Sequence, residues 1–265
     1  MSAGHKFRIV SLAPTTTEII CALGLGPNLV GVTTACDYPP EVEYINKIGP
    51  VFQPDYARIE ELKPDLVVAH GAGMAPFAGE LMRRGLKVEL VDPRNVEEVM
   101  ETFQRLGLYS GAGEAARLRV QELKDTLDRV HRALADLPEE ERPLTVRMLE
   151  ANPPIIAGPA SFMTDVIRHA GGRNPELAYT EPYVRTTEEE IAAIDPEVVY
   201  VCGWEPDLLE AVHVLPGWNQ TRAAKTGRIY SLPCGLACRP GARVGKYVEM
   251  LAAKLHPDRF PEKIC

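Results

Sequence analysis

The chain lacks any apolar run near the ~18 residues needed to cross a bilayer as a helix, any stretch of more than two consecutive Lys or Arg, and any low-complexity linker. A net charge of −8 and a pI near 5.4 exclude nucleic acid and anionic membrane as expected partners. Enzyme signatures are missing too. No Gly-x-Ser-x-Gly occurs, and Gly71-Ala72-Gly73 has neither the third glycine nor the Lys-Ser/Thr ending of a phosphate loop. Asp37 and Glu150 are the nearest thing to a carboxylate pair, and nothing in the sequence brings them together. The opening Met-Ser-Ala-Gly-His-Lys does not have the pattern of a secretory leader. The expected location is therefore the cytoplasm if this is the full chain, or extracytoplasmic if a leader has been removed.

What is present is a duplication. Residues 59–71 read Ile-Glu-Glu-Leu-Lys-Pro-Asp-Leu-Val-Val-Ala-His-Gly, and residues 190–203 read Glu-Ile-Ala-Ala-Ile-Asp-Pro-Glu-Val-Val-Tyr-Val-Cys-Gly. Each is a short amphipathic helix, then Pro and an acid, then an apolar strand that ends in a polar residue before Gly. One αβ unit used twice predicts two similar lobes. The pattern elsewhere is alternating β and α with short connections: strands from Phe7, Leu29, Asp65, Lys87, residue 144 and Arg228, and helices over 76–84, 161–170 and 242–255. Thr15 and Glu18 have capping-box spacing for a first helix, and Cys36 falls in the loop before Pro39-Pro40. In open parallel sheets ligands sit beyond the carboxyl ends of the strands, which is where His70 and Cys202 stand.

Between the lobes, Ala116, Val120, Leu123, Leu127, Val130, Leu134 and Leu137 recur at steps of four and three. This predicts one helix over 113–137, about 36 Å long at 1.5 Å per residue, serving as a spine or, less simply, as a coiled-coil partner helix. The expected organisation is an N-terminal α/β lobe (1–112), a backbone helix (113–137) and a C-terminal α/β lobe (138–265), each lobe Rossmann-like with a parallel sheet.

Arg8-Ile9-Val10-Ser11-Leu12-Ala13-Pro14 with Thr17-Glu18, Gly31-Val32, Asp37-Tyr38-Pro39-Pro40, Leu62-Lys63-Pro64-Asp65-Leu66-Val67, Asn152-Pro153-Pro154 with Gly158, and Gly171-Gly172-Arg173-Asn174 together resemble the cobalamin- and siderophore-type substrate-binding proteins of ABC importers. The likeness spans residues 7–256. It implies a monomeric, non-enzymatic protein that clamps a corrinoid or other metal chelate between its lobes with little closing motion and presents it to an importer's permease. By the same resemblance Tyr38, His70, Tyr183, Trp204 and the loops at 152–160 and 233–240, with Arg239, line the ligand cleft. Glu189 (or Glu188) in lobe two and Glu80 in lobe one are the candidate docking acids, although Pro76 occupies the lobe-one docking position itself. The chain departs from the family in the cleft: Ala35-Cys36 replaces an aromatic, His70 replaces a tryptophan, and the late loop carries Cys234 and Cys238.

The cysteines open a second line. Cys21 lies among Ile19, Ile20 and Leu23 and reads as a buried thiol, while Cys265 is terminal. Cys36, Cys202, Cys234 and Cys238 fall in three separate loops on the predicted cleft side. With His70 near them, they have the number and type of ligands for a soft metal ion or an iron–sulfur cluster. A disulfide, or inert buried thiols, are the competing readings. Function hypotheses are accordingly a chelate-binding protein, a cytosolic relative holding a thiolate-ligated metal or cluster, and an enzyme with Cys36 or Cys202 as nucleophile, for which no general base is evident.

Overall fold

The computed structural model describes residues 6–203 and 207–260. The chain divides into two compact units, residues 1–93 with 97–122 and residues 94–96 with 123–265.

The first unit is built from β1 (Ile9–Ser11), α1 (Pro14–Ala22), β2 (Leu29–Val32), α2 (Tyr56–Glu61), β3 (Leu66–His70), α3 (Ala75–Arg83), β4 (Val88–Val91) and α4 (Val96–Ser110). Its four strands are all parallel, in the order β2-β1-β3-β4. Val10, Leu12, Val67 and Ala69 pack with Ile48, Ile59, Met74 and Leu81 into one core. Near-continuous apolar strands are what a parallel sheet covered on both faces requires. α1 begins differently from expectation. Pro14 occupies its first turn, no side chain caps it, and Thr15 and Glu18 are buried. The proline supplies the helical φ and has no N–H in need of a cap. α4 has its own apolar stripe, Val96, Val99, Met100, Phe103 and Leu106, and adds a helix that the sequence reading passed over.

α5 (Gly113–Ala133) is the predicted long helix, ending four residues earlier than expected, and the boundary between the units falls within it. Its stripe from Ala116 to Leu134 is buried, so no coiled-coil partner is needed to cover it. A Cβ on Gly107 of α4 would stand 2.7 Å from that of Ala116, so glycine is what lets these two helices approach.

The second unit contains β5 (Thr145–Ala151), β6 (Pro154–Ala157), α6 (Phe162–His169), β7 (Tyr183–Arg185), α7 (Glu188–Ile194), β8 (Val198–Cys202), α8 (Asp207–Val214), α9 (Arg222–Thr226), β9 (Ile229–Leu232), α10 (Cys234–Ala237) and α11 (Val244–Leu255). Its sheet runs β7-β6-β5-β8-β9. β5, β8 and β9 are parallel, whereas β6 and β7 are antiparallel additions. The second sheet is thus mixed rather than purely parallel, because Asn152-Pro153 turns the chain straight back as a hairpin where the first unit sends a helix. Val146, Met148, Val199, Val201 and the fully buried Trp218 form the core. A capping box opens α7: Thr187 accepts from the Glu190 backbone while the Glu190 carboxylate accepts from the Thr187 backbone.

The duplication extends to individual hydrogen bonds. After α2 and α7 the chain passes through Lys63 and Asp195, both at φ 45° and the non-glycine residues of positive φ among those described, each followed by Pro. Asp65 and Leu66 then donate to the Arg8 carbonyl, as Glu197 and Val198 donate to that of Leu144. At the far ends of β3 and β8, Gly71 donates to Val91 and Gly203 to Leu232, each at 2.9 Å. His70 and Cys202 therefore occupy equivalent places in the two units.

Candidate functional site

In the first unit, the carboxyl ends of β1 and β2 run into a buried hydroxyl cluster. Ser11 Oγ lies 2.7 Å from Thr16 Oγ1 and accepts from Thr17 Oγ1 at 2.8 Å. Cys36 belongs to this cluster, its Sγ 3.1 Å from Thr17 Oγ1 and 3.2 Å from Thr33 Oγ1, and lies in the first unit. Two residues on, Tyr38 is 43% exposed. His70 closes β3. Its Nδ1 is buried without a hydrogen-bond partner, and burial lowers its pKa against the opposing pull of Asp92 and the Val91 carbonyl, so the ring is neutral at pH 7 and keeps a lone pair.

In the second unit, three predicted residues converge. The Sγ atoms of Cys202, Cys234 and Cys238 lie within 4.8 Å of one another, and each residue is half-buried. Cys202 is the last residue of β8. The segment after β9, expected as a loop, is the helical turn α10, which places Cys234 and Cys238 four residues apart with sulfurs 3.6 Å apart. None of the described cysteines is in a disulfide. Burial first, then the neighbouring thiols, pushes Cys234 up to about 12; burial also raises Cys238, with Arg147 pulling the other way. Cys21, on α1, is raised to about 11, chiefly by burial, in keeping with a structural thiol.

Arg147 is the residue that sequence reasoning missed. It stands on β5 with 2% of its surface exposed. Nη2 donates to Cys238 Sγ at 3.6 Å and Nη1 to the Met148 carbonyl, while Nε has no partner. The guanidinium lies 5.5 Å from the Tyr200 ring centroid, and the Tyr200 hydroxyl is 2.8 Å from that of Tyr247. Among the described residues no carboxylate pairs with it. The one signal available beforehand was an arginine inside the apolar run Leu144-Thr-Val-Arg-Met-Leu149.

The other predicted residues are scattered. Tyr183 is 57% exposed on the edge strand β7, Arg239 comes right after Cys238, the C-cap of α10, and Trp204 lies outside the described residues. Glu80 is held by Arg83 at 2.6 Å and Arg84 at 2.7 Å. Glu189 stands in the first turn of α7, where its own backbone N–H and then the Thr187 hydroxyl lower its pKa. A pocket of about 1070 Å³ in the second unit is lined by Arg142, Arg168, Arg173 and Glu190. It contains none of the predicted residues, and Arg168 and Glu190 are already bonded to Asp165 and Thr187.

Each of the two α/β units gathers polar or thiol side chains at the carboxyl ends of its parallel strands. Residues 9–234 match the family model of the periplasmic binding proteins, and the chain belongs to that family. It is 31% identical over 260 residues to an uncharacterized ABC transporter substrate-binding lipoprotein, YvrC, of Bacillus subtilis, covering 96% of this chain and 82% of the relative. It is 30% identical over 204 residues to the vitamin B12-binding protein of Salmonella typhimurium, covering 77% and 75%. Among solved structures, a periplasmic heme-binding protein from Pseudomonas aeruginosa superposes with a TM-score of 0.80 at 26% identity, covering 94% and 92%. Such relatives are substrate-binding proteins, and the resemblance read from the sequence motifs is borne out.

Proposed function

We propose that this protein binds a corrinoid and delivers it to an ABC importer outside the cytoplasm. The observation that carries the reading is the 30% identity, over three quarters of both chains, to a protein named for vitamin B12 binding. The heme-binding structural relative points to the same ligand chemistry, a flat macrocycle around a metal. Each unit, taken by itself, offers groups of matching chemistry. Tyr38 and Tyr183 present exposed rings for a macrocycle face, Arg239 offers a cation to polar side arms, and His70 offers a neutral imidazole as an axial donor. Glu189 is the docking acid for the permease. Glu80 serves less well, since a cationic partner would have to displace Arg83 and Arg84. The relative named as a lipoprotein supports an extracytoplasmic site of action.

The test is titration of the purified protein with cobinamide, cyanocobalamin and hemin, followed by absorbance and tryptophan fluorescence. Saturable one-to-one corrinoid binding with a Kd at or below about 1 μM is expected, and His70→Ala removes any imidazole-dependent change in the corrin bands. Binding of hemin alone, or of none of the three, overturns the corrinoid reading.

A further inference from the structure

We propose that Cys202, Cys234 and Cys238 hold one zinc-class metal ion as three thiolates, with Arg147 as the buried counter-charge, in a site complete within the second unit. This stands independently of the corrinoid reading, since every group it uses is a side chain of this unit.

The geometry fits a single ion. Tetrahedral zinc with bonds of about 2.3 Å spaces its sulfurs about 3.8 Å apart. The three Sγ atoms all lie within 4.8 Å, and the Cys234–Cys238 pair is at 3.6 Å, so an ion at their centre needs only small side-chain adjustments. An iron–sulfur cubane spreads its thiolates over different irons and hence further apart. The scaffold is rigid where it matters. Cys202 is fixed by the β8–β9 ladder, in register with Leu232, and Cys234 and Cys238 by one turn of helix.

Arg147 supplies the second, independent observation. A guanidinium this deeply buried carries a heavy desolvation cost unless an anion repays it, yet its contacts are a carbonyl, an aromatic face and a thiol, and Nε has no partner. Binding balances the charge. Three thiols plus a divalent ion give a trithiolate complex of charge −1 and release three protons, and Arg147 brings the site to neutrality. Three protein ligands leave the fourth tetrahedral corner to water or an external ligand, as in catalytic rather than structural zinc sites. Other anions would leave the thiols protonated and the sulfur spacing unexplained.

The experiment uses the whole chain, reduced and stripped of metal with a chelator. Titration with Co(II) is expected to give sulfur-to-cobalt charge-transfer bands and tetrahedral d–d bands that saturate at one equivalent and are displaced by Zn(II). Calorimetry in buffers of different ionisation enthalpy should report the release of about three protons near neutral pH. Cys202→Ser, Cys234→Ser and Cys238→Ser each lose at least about 100-fold in affinity, while Cys21→Ser keeps it. Should a variant fail to fold by circular dichroism, protection of wild-type thiols from alkylation by one equivalent of Zn(II) gives the same answer without substitution. The proposal is overturned by failure of the reduced protein to take up an ion, by a Cys234–Cys238 disulfide that persists under reduction, by iron accompanied by acid-labile sulfide, or by loss of cobalt binding in Cys36→Ser. Corrinoid binding can fail while this site loads, and the reverse, so the two readings are separable.

Discussion

Replacing Tyr247 by Phe removes one oxygen from a fully buried polar pair of the second unit. The rings of Tyr200 and Tyr247 meet edge to face with centroids 6.4 Å apart, both fully buried, and their hydroxyls are 2.8 Å apart. Burial raises both pKa values well above the ordinary tyrosine range, so the pair is a neutral hydrogen bond across the usual pH range. The substitution keeps the ring and its packing, so the change reports on the hydroxyl alone. Losing the bond and leaving the Tyr200 hydroxyl unpaired in the core costs about 1–3 kcal/mol. For a chain of this size that is a fall in Tm of about 2–12 °C. Tyr200→Phe should cost a similar amount. The double variant leaves no unpaired hydroxyl, so it should be more stable than the sum of the singles predicts, with a coupling of about 1 kcal/mol or more. Urea unfolding followed by near-ultraviolet circular dichroism measures all three. A Tyr247→Phe change below about 0.3 kcal/mol, or strict additivity in the double variant, would refute the account, because either result means the hydroxyls do not bond in the folded protein.

Three further outcomes follow from the same structure. Lys63 and Asp195 share a left-handed backbone, but Asp195 also accepts from the Arg222 backbone at 2.7 Å and its Nε at 3.0 Å; Lys63→Gly should stay within about 0.5 kcal/mol of the parent while Asp195→Gly loses about 1–2 kcal/mol in thermal or urea unfolding. A Cβ at Gly158 would lie 2.1 Å from the Glu181 carbonyl and 2.6 Å from a Val184 methyl, so Gly158→Ala should destabilise by about 1–3 kcal/mol, and an unchanged melting curve would mean this loop moves aside freely. Burial holds the His256 pKa below 6.5 despite the Gly171 carbonyl, with Arg228, Arg259 and Arg142 adding to the depression. The folded state therefore binds the proton more weakly than the unfolded one, and stability present above about pH 6.5 is lost as pH falls through the depressed value. Melting temperature between pH 7 and 5 should decline less steeply in His256→Gln than in the parent, and equal slopes would exclude the histidine as the cause.

The parts of this fold that could be read from sequence are those whose signal is local. The two αβ repeats carry their own period, their own Pro-acid punctuation and their own strand, and both formed at the expected residues. α5 announced itself by seven apolar positions on one stripe. β6 and β7 did not, because β6 opens on Pro154 directly after Asn152-Pro153, a run that reads as a loop, and β7 has identity only through its pairing with β6. At the site, the cysteines were visible as residue types, but which of them meet depends on β8 lying next to β9 and on α10 being helical, both long-range outcomes. Cys36 looked the same as the others in sequence. Its neighbours Thr17 and Thr33 are what set it apart, one of them 19 residues away. Arg147 was hidden for the opposite reason: a single charge in a hydrophobic strand reads as an outward-facing residue, and only the fold turns it inward.

His70 and Cys202 stand at equivalent places in the two repeats. Both residues follow a helix, a left-handed residue, a proline and a parallel strand, and both precede a glycine whose N–H is tied to the next strand. The backbone at these positions is therefore held by the same hydrogen bonds in both repeats, whichever of the two side chains stands there. In the first unit the neighbours of that position leave an imidazole nitrogen buried and unpartnered, which under the proposed function is the donor for a metal already held in a chelate. In the second unit the same position gained a helical turn bearing two more thiols and a buried cation beside them. Soft thiolates compete for a bare ion rather than for one enclosed by a macrocycle. Their stability as anions in a half-buried place depends on a positive charge that the rest of the unit does not neutralise. Arg147 meets that condition, and replacing it by Met, which keeps the bulk and removes the charge, should weaken cobalt binding at Cys202, Cys234 and Cys238 by at least about 10-fold, as for other groups just beyond the metal ligands. Unchanged affinity in a folded Arg147→Met protein would mean that the cation is buried for packing alone.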